Sequence, residues 1–512
     1  MPWLTLVVFT PLVGIPALLF IPSLKDDIAR ALALVVAIAT FLVSLGMLGA
    51  FDAGRSGFQL VEHADWAASI GLHYTVGVDG VSLFMVLLTT FLIPLGILAS
   101  WKVERDVRAF MAAMLAIETA VLGVFVSIDL LLFFLFFEGM LFPMYLIIGG
   151  WGGDRRVYAA LKFFLYTMFG SAFLFVAVLF LYFRAGTDLG HATFDLRTLS
   201  QLALPVVTAR WLFLAFFIAF AVKVPIFPLH TWLPDAHTEA PTAGSMILAA
   251  LLLKVGAYGL IRFDLALFPE ASRYFSTAVE ILAVVGIVYG GIVALIQSDV
   301  KRLVAYSSVS HLGIVVLGVF AFTQQSVSGG VLQMVNHGLS TGALFLIVGM
   351  IYERTHTRDL GKMGGLARTM PLLAGMLLFV VFSSVGLPGL NNFVGDFLVI
   401  LGTFAAHRAI ASIAAIGFVL AAIYLLWSYQ RIMHGPEPEE HRRHPDVSLR
   451  ETVVLAPILA AILVIGVYPN LLLDRINPST AQVVHRVEQG ADANVPSAPA
   501  AAPTVPPTEG TP

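Results

Sequence analysis

Cysteine is absent from this 512-residue chain, and charged residues are scarce, at 12% of the sequence. Without cysteine the chain can form neither a disulfide nor a thiolate-held iron–sulfur cluster nor a cysteine-ligated zinc site, so we expect electron transfer to take place elsewhere. The net charge is only -3, and no basic run has the density that binding to nucleic acid requires. We therefore exclude nucleic acid as a partner.

Apolar residues, by contrast, make up 59% of the chain, and the mean hydropathy is +0.90. Such a chain has too few polar groups to cover a soluble surface. Apolar runs long enough to cross a bilayer follow one another, so we predict an all-α, polytopic membrane protein embedded in a lipid bilayer. The fourteen predicted spans lie at 3–21, 28–50, 79–100, 110–127, 129–150, 160–183, 209–228, 241–263, 275–296, 303–322, 329–351, 372–405, 409–431 and 452–471.

The basic residues predict how these spans are oriented. If the N-terminus lies outside, about twice as many lysines and arginines fall in inner loops as in outer segments, which the positive-inside rule favours. We therefore expect a protein of the bacterial inner membrane with both termini on the outer side. The run at 3–21 is predicted as a retained span rather than a signal peptide, because no positive residue precedes it.

Lys223 and Lys254 are the two basic residues that this count assigns to no loop, while every other lysine and arginine lies in a loop or at the end of a predicted span. A lysine near the centre of a bilayer costs roughly 2.5 to 3.5 kcal/mol on insertion scales. Two such lysines in neighbouring spans therefore indicate a path for ions.

Three carboxylates also lie deep inside long apolar runs. Glu138 lies in LLLFFLFFEGMLFPMY, where an unpaired carboxylate would be protonated or would find a cation, and we predict that it pairs with Lys223. Glu118, one span earlier, is predicted as an accessory proton site. Asp396 is the acid of the later half of the chain that sits well inside a long apolar segment, and it completes the set.

Prolines predict that two of the spans are broken. Pro225 and Pro228 follow Lys223, while Pro388 precedes Asp396 in a run that is too long for a simple span. A proline removes a backbone donor, which is tolerated at membrane depth only where the break is buried in protein or lines a wet cavity. Interrupted spans that carry ionisable groups are typical of ion-transporting repeats.

The broken spans are the seventh and the twelfth, and this spacing predicts two inverted repeats of five helices, spans 4–8 and 9–13. The repeats would cover 110–263 and 275–431, after N-terminal spans and connectors at 1–109. A loop and the last span would occupy 432–483. From Val484 the sequence is rich in proline and alanine, which predicts a disordered tail over 484–512.

Two histidines connect the halves of this arrangement. His311 and His337 fall within the tenth and eleventh spans, beside serines, threonines and an asparagine. Because histidine titrates near neutral pH and both of its ring nitrogens exchange hydrogen bonds with water, such a row suits proton relay. His230 and His237 have no metal-ligand spacing, so we predict neither a metal nor a bound cofactor in this chain.

Four motifs in order resemble the antiporter-like membrane subunits of respiratory complex I, most closely the NuoM type. They are FFEGMLFPMYLIIGGWGG, FPLHTWLPDAHTEAPTAGSMILAALLLKVGAYGL, SDVKRLVAYSSVSHLG and NHGLSTGALFLIVG. The resemblance implies that Glu138 and Lys223 form the family's acid–lysine pair, that Lys254 is the next lysine, and that His311 and His337 are the relay histidines. The last ionisable site of this family is a glutamate in the NuoM type and usually a lysine in the sibling subunits. The resemblance implies that this site is Asp396 here, whose side chain is one methylene shorter than that of glutamate.

The resemblance implies a proton-pumping module of an NADH:quinone oxidoreductase. NADH, flavin, iron–sulfur clusters and quinone would then belong to partner subunits, and two sibling antiporter-like subunits would flank this one. We expect a proton to enter from the cytoplasm and to reside on Lys223. It would then move through Lys254 and the histidines and leave to the outer side near Asp396.

Other interpretations stay open at this point. The chain could belong to a multisubunit sodium/proton antiporter, although an acid at position 396 argues against that, or to a related hydrogenase or photosynthetic complex. A purely structural scaffold would not need five buried charges. Individually, Glu138 and Lys223 could form a structural ion pair, and His311 could bond a carbonyl across a helix interface.

Overall fold

The computed structural model describes residues 1–436 and 444–492, and it is mostly helical. The first half contains α1 (Trp3–Phe20), α2 (Asp26–Ala50), β1 (Gln59–Ala67), β2 (Leu72–Val78), α3 (Leu83–Ala99), α4 (Val107–Val126), α5 (Leu130–Trp151), α6 (Arg156–Leu189), α7 (Leu196–Leu199), α8 (Val206–Lys223), α9 (Trp232–Glu239) and α10 (Thr242–Leu267). The second half contains α11 (Pro269–Leu295), α12 (Val300–Phe320), α13 (Gln324–Thr355), α14 (Pro371–Val385), α15 (Asn391–Ala406), α16 (Arg408–Met433), α17 (Leu449–Val467) and α18 (Asn470–Asp492).

Twelve of these helices are long and apolar enough to cross a membrane. The 17-residue α3 and the two halves of a broken segment, α14 and α15, complete the fourteen predicted spans. The all-α, polytopic prediction is therefore confirmed. The helices differ in burial. The central membrane-spanning stretches of α10 and α13 are wholly buried, whereas about two thirds of those of α1 and α2 are not, as in lipid-facing helices.

The break in the seventh span is confirmed, and its cause is local. Helix α8 ends at Lys223 and the chain becomes helical again at Trp232. Pro225 has no N–H to offer the carbonyl of Ala221, and the N–H of Ile226 bonds that oxygen instead, at 2.9 Å. The indole of Trp232 donates to the carbonyl of Val222 at 2.9 Å, so side chains satisfy the backbone that the break exposes.

The break in the twelfth span is confirmed as well. Helix α14 ends at Val385 and α15 begins at Asn391. Gly386 and Gly389 between them have φ angles of 84° and 93°, a left-handed conformation that residues with a Cβ rarely adopt. The Ser383 hydroxyl donates to Asn391 Oδ1 at 2.6 Å, which ties the two halves together across the break.

Helix α10 contains two π-helical segments that the sequence analysis did not predict. They lie at Leu248–Leu252 and Leu260–Asp264, and Lys254 stands between them. A π segment inserts a residue into the helix and leaves a carbonyl without its usual donor, and it often marks a functional position. The lysine of α10 is thus held on a locally widened helix.

Two further elements depart from expectation. The connector after α2 forms an antiparallel hairpin of β1 and β2, which no predicted element covered. Helix α18 runs to Asp492, so the disordered tail predicted from Val484 is wrong for 484–492, while 493–512 lies outside the described residues. The helix persists because its apolar positions, such as the fully buried Ile476 and Val487, face the bundle. The proposed domain boundaries and the repeat relation stay predictions.

A buried ion pair joins α13 to α17. Removing one of its partners tests how much this contact stabilises the bundle. Arg354 donates to both oxygens of Glu451, at 2.8 and 2.7 Å, and both side chains are less than 10% exposed. Glu451→Ala leaves the guanidinium buried without its carboxylate, so we expect a loss of about 3 kcal/mol of stability and a lower denaturation temperature of the purified protein.

The matched control is Glu353→Ala, which removes the neighbouring ion pair with the largely exposed Lys102. Exposed pairs contribute less than about 1 kcal/mol, so the denaturation temperature should stay close to that of the wild type. Equal losses in the two variants would contradict the assignment of Arg354 and Glu451 as a stabilising pair.

Candidate ion path

Lys223 is the last residue of α8, and the break that follows places its ammonium in an apolar pocket. Its Nζ lies 5.1 Å from the ring centroid of Phe137 and 5.5 Å from that of Phe163. Within the described chain, this nitrogen has no hydrogen-bond partner. The two rings supply a cation–π attraction to a protonated Lys223. Because this attraction is weak, the rings compensate little of the positive charge.

Glu138, on α5, is a neighbour of Lys223 but does not contact it. The two charges lie within electrostatic range of each other, yet no pair of their nitrogen and oxygen atoms among the described residues approaches to 4.0 Å. Its Oε1 is buried without a partner there. The direct ion pair expected from the sequence is therefore not formed in this structure. Phe137 fills part of the space beneath the ammonium instead.

Lys254 has the closest polar contacts of the path. Its Nζ donates to the carbonyl of Ala249 at 2.6 Å and lies 2.7 Å from His337 Nδ1. Ala249 belongs to the first π-helical segment of α10, so the irregular helix supplies the carbonyl that holds the amine. A distance of 2.7 Å is a hydrogen bond along which a proton can pass directly between lysine and imidazole.

The row continues across the bundle from His337. The ring centroids of His337 and His311 are 5.9 Å apart in an edge-to-face arrangement. His311 Nε2 then lies 3.4 Å from the hydroxyl of Tyr424, on α16. All three side chains are buried. The structure thus brings Lys254, His337 and His311 together, as the sequence analysis expected, and adds a tyrosine that it missed.

Asp396 stands next to the break between α14 and α15. A Cβ placed on Gly386 would lie 3.6 Å from Asp396 Oδ2, and Tyr424 is within electrostatic range. Neither carboxylate oxygen has a hydrogen-bond partner in the described ranges, although the residue is only 3% exposed. Gly386 therefore borders the space that faces this acid.

An amide network links the same break to the histidine helix α13. Asn336, next to His337, donates to Gln333 Oε1 at 3.2 Å and to the carbonyl of Asn391 at 2.9 Å. Asn391 donates back to the Asn336 carbonyl at 3.2 Å, and Asn392 donates to the Ser340 hydroxyl at 3.1 Å. These bonds tie the first turn of α15, and with it Asp396, to the helix that carries His337.

Glu118, on α4, stands apart from this row. It is fully buried, and neither of its carboxylate oxygens finds a partner within the part of the chain that the structure describes. The structure therefore places it inside the bundle without joining it to Glu138 or Lys223 by a hydrogen bond. Its role as an accessory site stays a prediction.

The expectation that Lys223 and Lys254 are the only buried lysines is wrong. Lys301, assigned to an inner loop, is the second residue of α12, only 7% exposed, and donates to the carbonyl of Ala240. It lines a cavity of about 270 Å³ together with Thr238, Glu239 and Arg358. The burial of Lys301 has no signal in the sequence, because Asp299 and Arg302 beside it are typical of a helix start at a membrane surface.

His237 is a further buried group beyond the predicted set. Its ring stacks on that of Phe345, with centroids 4.6 Å apart, and neither ring nitrogen has a partner among the described residues. Lys254 and Lys301 both lie within electrostatic range of it. His237 thus occupies the interval between the cavity and Lys254.

The described residues also contain one group of three side chains of the types that bind metal ions. It lies on the hairpin and consists of His63, Asp65 and His73.

A family model and individual relatives both match most of this chain. The sequence model of the family "NADH:quinone oxidoreductase/Mrp antiporter, TM" matches residues 127–425. NADH-quinone oxidoreductase subunit M of Rhodobacter capsulatus is 47% identical over 495 residues, which cover 94% of this chain and 96% of the relative.

Solved structures share the fold. A chain of respiratory complex I from Thermus thermophilus is 33% identical and superposes with a TM-score of 0.86 over 94% of this chain and 99% of its own length. A chain of the Mrp complex from Dietzia sp. DQ12-45-1b, 21% identical, has a TM-score of 0.82 over 96% and 99%, which shows the fold alone. The chain belongs to the NADH:quinone oxidoreductase/Mrp antiporter family of membrane proteins.

Proposed function

We propose that this chain is a proton-translocating membrane-arm subunit of an NADH:quinone oxidoreductase, coupling quinone reduction elsewhere in the complex to proton transfer. The observation that carries the proposal is the buried row from Lys254 through His337 and His311 to Tyr424, whose members can all bind and release a proton. The similarity to subunit M relatives over nearly the full chain supports the parent complex.

The redox chemistry belongs to partner subunits in this proposal. NADH, flavin, iron–sulfur clusters and quinone would bind there, consistent with a chain that has no cysteine. The partners are the other membrane-arm subunits, with sibling antiporter-like subunits on either side. The complex would lie in the bacterial inner membrane, with both termini of this chain on the outer side, as the distribution of basic residues favours.

The proton enters from the inner side and is held on Lys223. It moves to Lys254 by way of water, since no direct contact joins these two side chains among the described residues, and passes to His337 across the 2.7 Å hydrogen bond. His337 Nε2 and His311 Nδ1, which have no hydrogen-bond partner among the described residues, then pass the proton on by way of water. Release toward the outside proceeds near Asp396.

Glu138 sets how strongly Lys223 holds its proton. Because the two groups are neighbours without a direct bond, a movement of α5 or α8 changes their distance without breaking a hydrogen bond between them. At an effective dielectric constant of about 20, moving two unit charges from about 4 to about 8 Å weakens their attraction from about 4 to about 2 kcal/mol. That change exceeds a tenfold change in proton binding and is within reach of coupling to a neighbouring subunit.

A sodium/proton antiporter subunit is the alternative, and the shared fold with the Mrp chain is the observation in its favour. The oxygen ligands that a sodium site needs are sparse along a row of lysine, histidine and tyrosine, which favours protons. Copurification of the chain with NADH-binding subunits, identified by mass spectrometry of the intact complex, would support the proposed function. Copurification with antiporter subunits alone would overturn it.

Lys223→Ala should abolish proton pumping by the assembled complex, because it removes the group on which the transferred proton resides. We expect proton uptake into proteoliposomes, driven by NADH oxidation with quinone, to fall at least tenfold. Lys102→Ala, which removes an exposed lysine outside the bundle, is the matched control and should pump normally. Full proton-to-electron coupling in Lys223→Ala would contradict the proposal.

Lys254 and His337 should act as one unit, because they share a single proton-transfer step. Lys254→Ala and His337→Ala should each reduce pumping strongly, and the double variant should be no slower than the slower single variant. The three rates are measured in parallel in proteoliposomes. Effects that multiply in the double variant would show that the two residues serve separate steps.

A further inference from the structure

The hairpin after α2 gathers three metal-type ligands on one face. His63 and Asp65 are two residues apart on β1, so their side chains point to the same side of the strand. His73 lies directly opposite Asp65 on β2. Their side chains are 54%, 71% and 27% exposed, respectively, so an ion from solution can reach all three.

The spacing of the donor atoms matches the demands of a tetrahedral metal. His73 Nδ1 lies 2.9 Å and His63 Nε2 lies 3.6 Å from Asp65 Oδ1. Tetrahedral zinc with bonds of 2.0–2.1 Å requires donors about 3.3 Å apart, a value between these two distances. One donor atom from each residue lies within 4.8 Å of the others, so small rotations of exposed side chains complete the geometry.

A supporting hydrogen bond orients one of the ligands. His63 Nδ1 lies 2.9 Å from the hydroxyl of Thr75, its partner across the hairpin, and Thr75 is buried. When His63 Nδ1–H donates to that hydroxyl, Nε2 keeps its lone pair and faces Asp65. Metal-binding histidines generally have such a second partner, which fixes the tautomer and the plane of the ring.

We propose that His63, Asp65 and His73 bind a divalent transition-metal ion, of which Zn²⁺ is the representative, with water as the fourth ligand. Two imidazoles and one carboxylate suit Zn²⁺, Cu²⁺ or Ni²⁺, whereas Ca²⁺ and Mg²⁺ require oxygen ligands. The alternative reading, an exposed ion pair for stability, needs one histidine rather than two and contributes less than about 1 kcal/mol.

The position of the site gives the metal a structural consequence. The backbone N–H of His73 donates to Asp129 Oδ2 at 3.4 Å. Asp129 also accepts from the N–H groups of Leu131 and Leu132 and so caps α5, the helix that carries Glu138. A metal that joins β1 to β2 therefore stiffens the hairpin beside the start of that helix.

Zn²⁺ binding to the purified, intact complex tests the proposal. The complex is prepared in metal-free buffer and titrated with Zn²⁺ in competition with a chromophoric chelator of micromolar affinity. We expect His63→Ala and His73→Ala complexes to bind one Zn²⁺ fewer per complex than the wild type, because two ligands do not retain the ion.

His191→Ala is the matched control, since it removes an exposed histidine from another connector, and should leave the stoichiometry unchanged. Unaltered NADH oxidation by each variant verifies assembly, as these exposed side chains lie outside the ion path. The same Zn²⁺ stoichiometry and affinity in the wild type, His63→Ala and His73→Ala would overturn the proposal. The readout does not involve pumping, so it stands apart from the proposed function.

Discussion

The hydrogen bond between Lys254 and His337 is the interaction on which the rest of the proposed proton path depends. It joins α10 and α13, whose central membrane-spanning stretches are completely buried in the bundle. An amine in such surroundings needs polar partners, and it has two, the imidazole and the carbonyl of Ala249. The π-helical segment supplies that carbonyl. The irregular backbone therefore provides a hydrogen-bond acceptor for the buried amine.

The two broken helices also place ionisable side chains next to irregular backbone, at other points of the bundle. Lys223 stands at the end of α8, and Asp396 faces the gap after α14. At the first break Trp232 bonds the freed carbonyl of Val222, and beside the second Asn336 and Asn391 bond each other's backbone carbonyls, which ties α15 to α13. Carbonyls and amides that would be too costly in lipid are therefore available to position ionisable groups.

Much of this arrangement could be predicted from the sequence, because charges and prolines within apolar runs are conspicuous. Lys223, Lys254 and Asp396 were found in this way, and so were both breaks. Contacts between helices depend on packing that single spans do not encode, so the sequence did not show that Glu138 stops short of Lys223 or that Tyr424 meets His311. Lys301 was misassigned because its neighbours are those of an ordinary helix start. The hairpin and the last turns of α18 were missed because both have mixed, weakly apolar sequences.

Proton translocation by this chain is tested most directly by the proton-to-electron ratio of an intact complex carrying Lys254→Met. Methionine keeps the length and volume of the lysine stem while removing the amine that bonds His337. The ratio is measured in proteoliposomes during NADH oxidation. We expect proton pumping to be lost, with the complex still assembled. A wild-type ratio at a wild-type rate of NADH oxidation would contradict a path through this lysine.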